Sequence, residues 1–328
     1  METMRALVYE GPRIMNIREL PIPVPHEDEA IIRVERVGIC GSELSGYLGH
    51  NSLRTPPLVM GHEFAGTIHA LGNSSTSFKI GDRVTANPLV SCGTCLDCLH
   101  GKAQLCSFRN LLGAHRPGAF AEYLVVPNKN LFLLPDSMTF EEGALAEPFA
   151  CGVHICRLLQ LDSSEKLFIV GAGPIGLFAL QAAQLIGLHD IVVMDLNQER
   201  LNMVKALGGI PVSSIEELEG LKLEQGFHAS IDAVGRKETR QISISYLRPG
   251  GRVCFSGLHE ADSSLPINTM IRKEISTYSA FAYTPCDFTD ALQWLKEKKV
   301  SILQWSEIQP LEQGQDCFEK LLHSPGNV

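Results

Sequence analysis

A short apolar run, Leu167–Val170, leads straight into Gly171-Ala-Gly173-Pro-Ile-Gly176 and from there into an apolar stretch lasting through Gly187. Few local patterns narrow the choice of fold as much, because each glycine has a separate steric task. The first permits a tight turn, the second lets the backbone approach a pyrophosphate, and the third lets a helix sit against the preceding strand. Free N–H groups at the start of that helix, such as that of Ile175 next to Pro174, then bind phosphate oxygens. Residues 167–188 carry no charge and number 22, long enough to cross a membrane. The three glycines, Pro174, Gln181 and Gln184 argue instead for a buried strand, a turn and a helix, so no membrane span is expected.

Three more apolar runs follow, Ile191–Asp195, Ala229–Ala233 and Arg252–Phe255, separated by helix-like stretches such as Gln198–Leu207 and Thr239–Leu247. This alternation is the signature of a parallel sheet covered by helices. Arg248-Pro-Gly-Gly251 predicts a turn ahead of the fourth run. The second run ends at Asp195, 19 residues after Gly176. A carboxylate there accepts hydrogen bonds from a ribose hydroxyl pair and repels a 2′-phosphate, which favours NAD over NADP. Arg200 could tolerate such a phosphate or stack on the adenine. Val234 and Gly257, just beyond the third and fourth runs, complete the expected cofactor-binding positions.

The first 150 residues have a different texture. Arg5–Tyr9, Ala30–Gly38, Phe64–Ala70, Arg83–Ala86 and Phe120–Val126 are short β-rich runs bounded by Pro21, Pro23, Pro25, Gly72 and Gly81. They predict a mostly β domain with long loops. Beyond Phe281 helices are expected at Phe288–Lys298 and Gly314–Leu322. With 328 residues the chain suits two domains, and its 45% hydrophobic content suffices for sizeable cores. A net charge of −9 speaks against nucleic acid as a partner, since that binding leaves a basic footprint.

The N-terminal segment, with Glu2, Arg5 and Glu10 around a short apolar run, lacks the long apolar core of a secretory signal. A cytoplasmic protein is therefore expected, and its ten cysteines should stay reduced. Cys92, Cys95, Cys98 and Cys106 fall within fifteen residues as Cys-x2-Cys-x2-Cys-x7-Cys. Four thiolates fill a tetrahedral zinc shell with no open position, which fastens a loop without doing chemistry. Cys40, His62, Glu63 and Glu147 each have a dull explanation as a core thiol, a core histidine or a helix-start carboxylate. Together they would make a mixed N/S/O shell with room for a substrate oxygen, as catalytic zinc requires.

Taken in order, the Cys40 loop, Gly61-His62-Glu63, Gly81-Asp82-Arg83-Val84, the four-Cys lobe, Gly118-Ala-Phe-Ala-Glu122-Tyr123, Glu147-Pro148, the Gly171 turn and Arg248-Pro-Gly-Gly251 span nearly the whole chain. This series resembles the medium-chain, zinc-dependent alcohol and polyol dehydrogenase family, and Glu147 places the resemblance in its sorbitol and threonine dehydrogenase-like branch. The resemblance implies an α/β plus mostly β fold. A GroES-like catalytic domain, residues 1–150 and 281–328 with a zinc lobe near 90–110, would be interrupted by a doubly wound Rossmann domain, residues 151–280.

It also implies a catalytic zinc on Cys40, His62 and either Glu63 or Glu147, Ser42 as the acceptor of the substrate hydroxyl proton, and a structural zinc on the four cysteines. The expected reaction oxidises a secondary alcohol on a polyol, sugar-derived or amino-alcohol substrate to a ketone with NAD, in a homodimer or homotetramer. Three positions depart from the family pattern. Ser45 stands where relatives continue the proton relay with His, Ala282 stands where the polyol branch often has Arg, and the chain ends at Ser324-Pro-Gly-Asn-Val328 rather than in a Lys-Val-rich strand. Without that Arg, Tyr47, Phe120, Phe281 and Tyr283 could line a more apolar pocket, although such aromatics more often belong to a core. A non-enzymatic NAD(H)-binding zinc protein that has lost turnover is the rival reading.

Overall fold

The fold is that of a computed structural model, which describes residues 2–74 and 76–323; the Ser324–Val328 ending lies outside the described residues. The chain divides into two compact units, one formed by the chain up to Glu147 and again from Thr284, the other by Pro148–Tyr283.

The strands of the first unit are β1 (Thr3–Gly11), β2 (Ile14–Pro21), β3 (Glu29–Gly38), β4 (Leu58–Val59), β5 (Glu63–Leu71), β6 (Arg83–Ala86), β7 (Leu89–Val90), β8 (Asn110–Leu111), β9 (Tyr123–Pro127) and β10 (Leu131–Leu133). They pair antiparallel in three sheets, of order β2-β1-β4, β10-β6-β5-β3-β9 and β7-β8. The run expected over Phe120–Val126 is divided. The Phe120 carbonyl accepts from Leu7 N and Ala121 bridges to Ala6, both in β1, whereas Tyr123–Pro127 pairs with β3. The segment changes sheets at Glu122, so the paired β9 begins three residues later than its apolar pattern does.

Two cores fill this unit. Ile32, Phe64, Val84 and Leu124 belong to one. Tyr9, Tyr47, Phe120 and Phe318 belong to the other, where the Phe318 ring lies 5.1 Å from that of Tyr47 and 5.8 Å from that of Phe120. Tyr47 and Phe120 are therefore core residues built around the helix Gly314–His323, the commoner of the two roles open to such aromatics. Helix Pro285–Lys296 starts where its sequence says it should: the Thr284 hydroxyl accepts from Asp287 N and the Asp287 carboxylate accepts from Thr284 N, a reciprocal cap.

The second unit contains β11 (Lys166–Val170), β12 (Asp190–Met194), β13 (Ile210–Val212), β14 (Phe227–Asp232), β15 (Leu247–Phe255) and β16 (Ser276–Ser279). They form one parallel sheet of order β13-β12-β11-β14-β15-β16. Numbered from β11 the order is 3-2-1-4-5-6, that of dinucleotide-binding Rossmann folds, with its crossover reversing between β11 and β14. The charge-free stretch 167–188 is β11, the glycine turn and a thirteen-residue helix, Pro174–Ile186. Among the described residues no helix is long and apolar enough to cross a membrane.

Arg248-Pro-Gly-Gly251 does not end one element before another begins. β15 already starts at Leu247, opposite Phe227, and resumes pairing with Arg252 opposite Ala229. The four residues are accommodated as a bulge, with Gly250 at φ +74°.

Candidate active site

The register of β3 against β5 sets the position of the mixed donor set. Gly38, the last residue of β3, stands opposite Glu63, the first of β5. Cys40 lies two residues beyond one strand end and His62 one residue before the other, so an antiparallel pair delivers both to the same edge. A Cβ on Gly38 would come within 2.4 Å of Glu63 Oε2, so only glycine leaves that carboxylate its place. Donor atoms of Cys40, His62 and Glu63 all lie within 4.8 Å of one another. Sulfur, imidazole nitrogen and carboxylate oxygen at that spacing fit the donor chemistry of a catalytic zinc, with a position to spare.

Cys40 caps helix α1 (Gly41–Tyr47), and the residue that completes the cap is Glu43. Glu43 is fully buried. Its Oε2 accepts from Cys40 N at 3.1 Å, and its Oε1 accepts from Gly61 N at 2.8 Å and lies 2.8 Å from His62 Nδ1. A carboxylate behind a ligating imidazole fixes the ring and its tautomer and raises its basicity. Sequence reasoning missed Glu43. The available signal was its place three residues after the candidate thiolate, at the reciprocal position of a capping box.

The charges of the site are interdependent. Burial works against ionised Glu43, yet His62, with Arg54 adding to it, holds this carboxyl below its ordinary value. Burial also opposes a charged His62, but Glu43 and Cys40 together keep the imidazole well above its usual range. The Cys40 thiol, raised by burial, ends below its ordinary value because of His62. Glu63 goes the other way: burial and then the Cys40 charge push it well up, with Glu147 adding to the effect. Glu147, buried in the first turn of helix Ala146–Leu158, thus acts electrostatically on Cys40 and Glu63 without belonging to the 4.8 Å group.

Ser42 Oγ donates to Cys40 Sγ at 3.3 Å and accepts from Arg54 Nη2 at 3.0 Å. Arg54 is a second residue that sequence reasoning passed over. His50, five residues after Ser45, is exposed.

In the cysteine lobe, the short β7-β8 pair closes the base of a loop that carries all four thiols. Sγ separations of 3.9 Å for Cys92–Cys98, 3.4 Å for Cys95–Cys98 and 3.6 Å for Cys92–Cys106 bracket the edge of about 3.8 Å expected for sulfurs around one zinc. The backbone at Thr94 and Cys95 brings the Cys92 thiol down to about 6, which suits thiolate ligation.

In the second unit, a Cβ on Gly176 would sit 1.8 Å from the Gly171 carbonyl oxygen, so the helix can lie on the turn only with glycine there. Val234 packs next to Gly171, and Gly257 against Val234 and Gly235, so the strand ends of β11, β14 and β15 converge. Asp195, immediately past β12, accepts from Ala172 N at 2.7 Å and Asn197 N at 2.8 Å. Its carboxylate is thereby fixed beside the glycine turn. Arg200 Nη1 lies 3.7 Å from where a Cβ of Gly173 would be, over the same turn.

A mostly β unit with a Cys-His-Glu donor set and a Rossmann-type unit with a glycine turn define a zinc-binding dehydrogenase. Residues 26–136 match the family model for the alcohol dehydrogenase GroES-like domain, and residues 174–297 match that for zinc-binding dehydrogenase. The chain is 34% identical to sorbitol dehydrogenase of Bacillus subtilis, over 98% of this chain and 94% of that protein. Among solved structures, the alcohol dehydrogenase RspB of Escherichia coli CFT073, complexed with NADH, superposes with a TM-score of 0.93 at 27% identity, covering 100% and 98% of the two chains. A zinc-binding dehydrogenase of Sinorhizobium meliloti bound to NADP gives 0.90 at 26%, covering 97% and 96%. The chain belongs to the medium-chain, zinc-dependent alcohol and polyol dehydrogenase family. It is a dehydrogenase, and the reading as a zinc protein without turnover gives way.

Proposed function

We propose that this enzyme oxidises a secondary alcohol of a polyol to a ketone and delivers the hydride to NAD. The observation that carries this reading is the convergence of Cys40 Sγ, the His62 imidazole and the Glu63 carboxylate within 4.8 Å. In this reading Cys40, His62 and Glu63 hold a catalytic zinc, and Glu147 exchanges with Glu63 as a ligand. The metal supplies Lewis acidity that makes a hydroxyl proton easier to lose. Ser42, next to the thiolate, would relay that proton, accepting it at Oγ while passing its own on towards solvent. Glu43 holds the imidazole in one tautomer through Nδ1, so that Nε2 faces the donors. Cys92, Cys95, Cys98 and Cys106 hold a second, structural zinc.

The choice of NAD rests on Asp195. Backbone amides anchor its carboxylate at the turn, where it can accept from ribose hydroxyls and would repel a 2′-phosphate. A polyol substrate is favoured by the likeness to sorbitol dehydrogenase. Assembly as a homodimer or homotetramer is the companion proposal, tested by sedimentation.

A panel of diols and sugar alcohols with NAD, read at the nicotinamide absorbance, tests the reaction, and metal analysis tests the count of two zincs. Cys40→Ser should lose turnover while keeping the fold and the zinc of the four-Cys lobe. Full activity in that variant would overturn the assignment.

A further inference from the structure

Arg54 lies in the loop between α1 and β4, and only 4% of its surface is exposed. Its Nε is buried without a hydrogen-bond partner. Among the described residues, its guanidinium donates from Nη2 to Ser42 Oγ at 3.0 Å. The fold makes room for this side chain. A Cβ on Gly46 would clash with Arg54 Cδ, so the arginine stem crosses α1 at a residue that has no side chain. The Arg54 loop is tied to α1 on its other side as well: Asn51 Nδ2 donates to Ser42 O at 3.4 Å, and Arg54 N donates to Asn51 O at 3.1 Å.

A serine hydroxyl has one proton to donate and two lone pairs, whereas a guanidinium donates only. Ser42 must therefore accept from Arg54, and its own proton is turned away from the arginine. On the opposite side lies Cys40 Sγ, at 3.3 Å. We propose that Arg54 is a positioning residue for the reaction. By donating to Ser42 Oγ it fixes the rotor of that hydroxyl towards the Cys40 side of the site, and its charge-assisted hydrogen bond polarises the oxygen that meets the substrate hydroxyl. This rests on the proposed dehydrogenase reaction and assigns it a residue that acts through Ser42.

The test is a double-mutant cycle on the zinc-loaded enzyme with sorbitol and NAD, using Ser42→Ala, Arg54→Met, the two combined, and Arg54→Lys. Arg54→Met should lower kcat about 10- to 100-fold, the loss of one charge-assisted hydrogen bond in the transition state, with KM for NAD unchanged. The combined variant should be no slower than Ser42→Ala alone, and Arg54→Lys should recover part of the rate. In a crystal structure of Arg54→Met the Ser42 hydroxyl should leave its contact with Cys40. Losses that multiply in the combined variant would overturn the proposal, assigning Arg54 to packing or to direct contact with substrate. An unmoved Ser42 rotamer in that crystal would overturn it too. Arg54→Lys keeps the test open if the methionine variant fails to fold. Absence of turnover with sorbitol and with every other alcohol in the unaltered enzyme defeats the parent reading and this one together. Normal turnover with a multiplicative cycle defeats this one alone.

Discussion

His62 Nδ1 lies 2.8 Å from Glu43 Oε1, and the same carboxylate oxygen accepts the N–H of Gly61, the residue before His62. One buried side chain thus holds both the imidazole and the backbone that carries it. Removing it should loosen a ligand without removing a ligand. In Glu43→Ala, affinity for zinc at the Cys40 centre should fall about 10- to 100-fold, the usual effect of losing such a partner. Competition with a graded series of chelators measures this. An affinity equal to that of the unaltered protein would reduce Glu43 to a helix cap.

Asp195 fixes the glycine turn and, in the proposed reading, also meets the ribose. Asp195→Ala should therefore lower kcat/KM with NAD by about 10- to 100-fold, the range for hydrogen bonds to a charged group. It should lower kcat/KM with NADP by less, so the preference between them narrows. Steady-state kinetics with both cofactors decides this, and an unchanged ratio would show that the ribose is read elsewhere.

The cysteine lobe should behave as a separate clip. Cys106 is the buried member of its set, and its Sγ lies 3.6 Å from that of Cys92. Cys106→Ser should cost the protein one zinc by elemental analysis and make residues 91–109 sensitive to protease. The Cys40 centre should keep its metal. Loss of both metals together would mean that the two sites are not independent.

Glu29 opens β3 and is buried, paired with Arg116 and accepting from His26 N at 3.1 Å. Burial alone would raise its carboxyl, but Arg116 and the His26 amide bring it below its ordinary value. A depressed folded-state pKa gives stability that is fully present above the unfolded value and is lost as pH falls through the folded one. Glu29→Gln should therefore destabilise by about 1–3 kcal/mol at neutral pH. The gap from the unaltered protein should close as the solution is acidified below the carboxylate range. Thermal melts at pH 7 and pH 3 check both statements, and a gap independent of pH would show that the charge is irrelevant.

Features that depend on adjacent residues were legible from the chain. The turn Gly171–Gly176 and the four cysteines each lie within a few turns of backbone, and their spacing follows from phosphate or zinc geometry. Cys40, His62 and Glu63 were legible only through resemblance, because what unites them is the register Gly38 opposite Glu63, a pairing that local pattern does not specify. Glu43 and Arg54 read as ordinary charged residues of a helix and a loop. Their importance comes from complete burial, which depends on Gly46 and on the edge of β5. Tyr47 and Phe120 carried two readings, core and pocket, because Phe318, the partner that decides for the core, lies far along the chain. Arg248–Gly251 was read as a turn since proline and two glycines satisfy that pattern, whereas pairing on both sides makes it a bulge.

The hydroxyl of Tyr47, the last residue of α1, donates to Glu319 Oε1 at 2.7 Å, and Phe318 fills the core beneath it. The helix capped by Cys40 is thus completed by residues synthesised after all of Pro148–Tyr283. Domains generally fold as units in the order they emerge. Here the parallel-sheet unit can mature while the metal-binding unit still waits for its second half. Until Phe318 is made, α1 and the sheet of β1 lack the ring that Tyr47 and Phe120 pack on, so the unit carrying Cys40, His62 and Glu63 closes its core after the parallel-sheet unit.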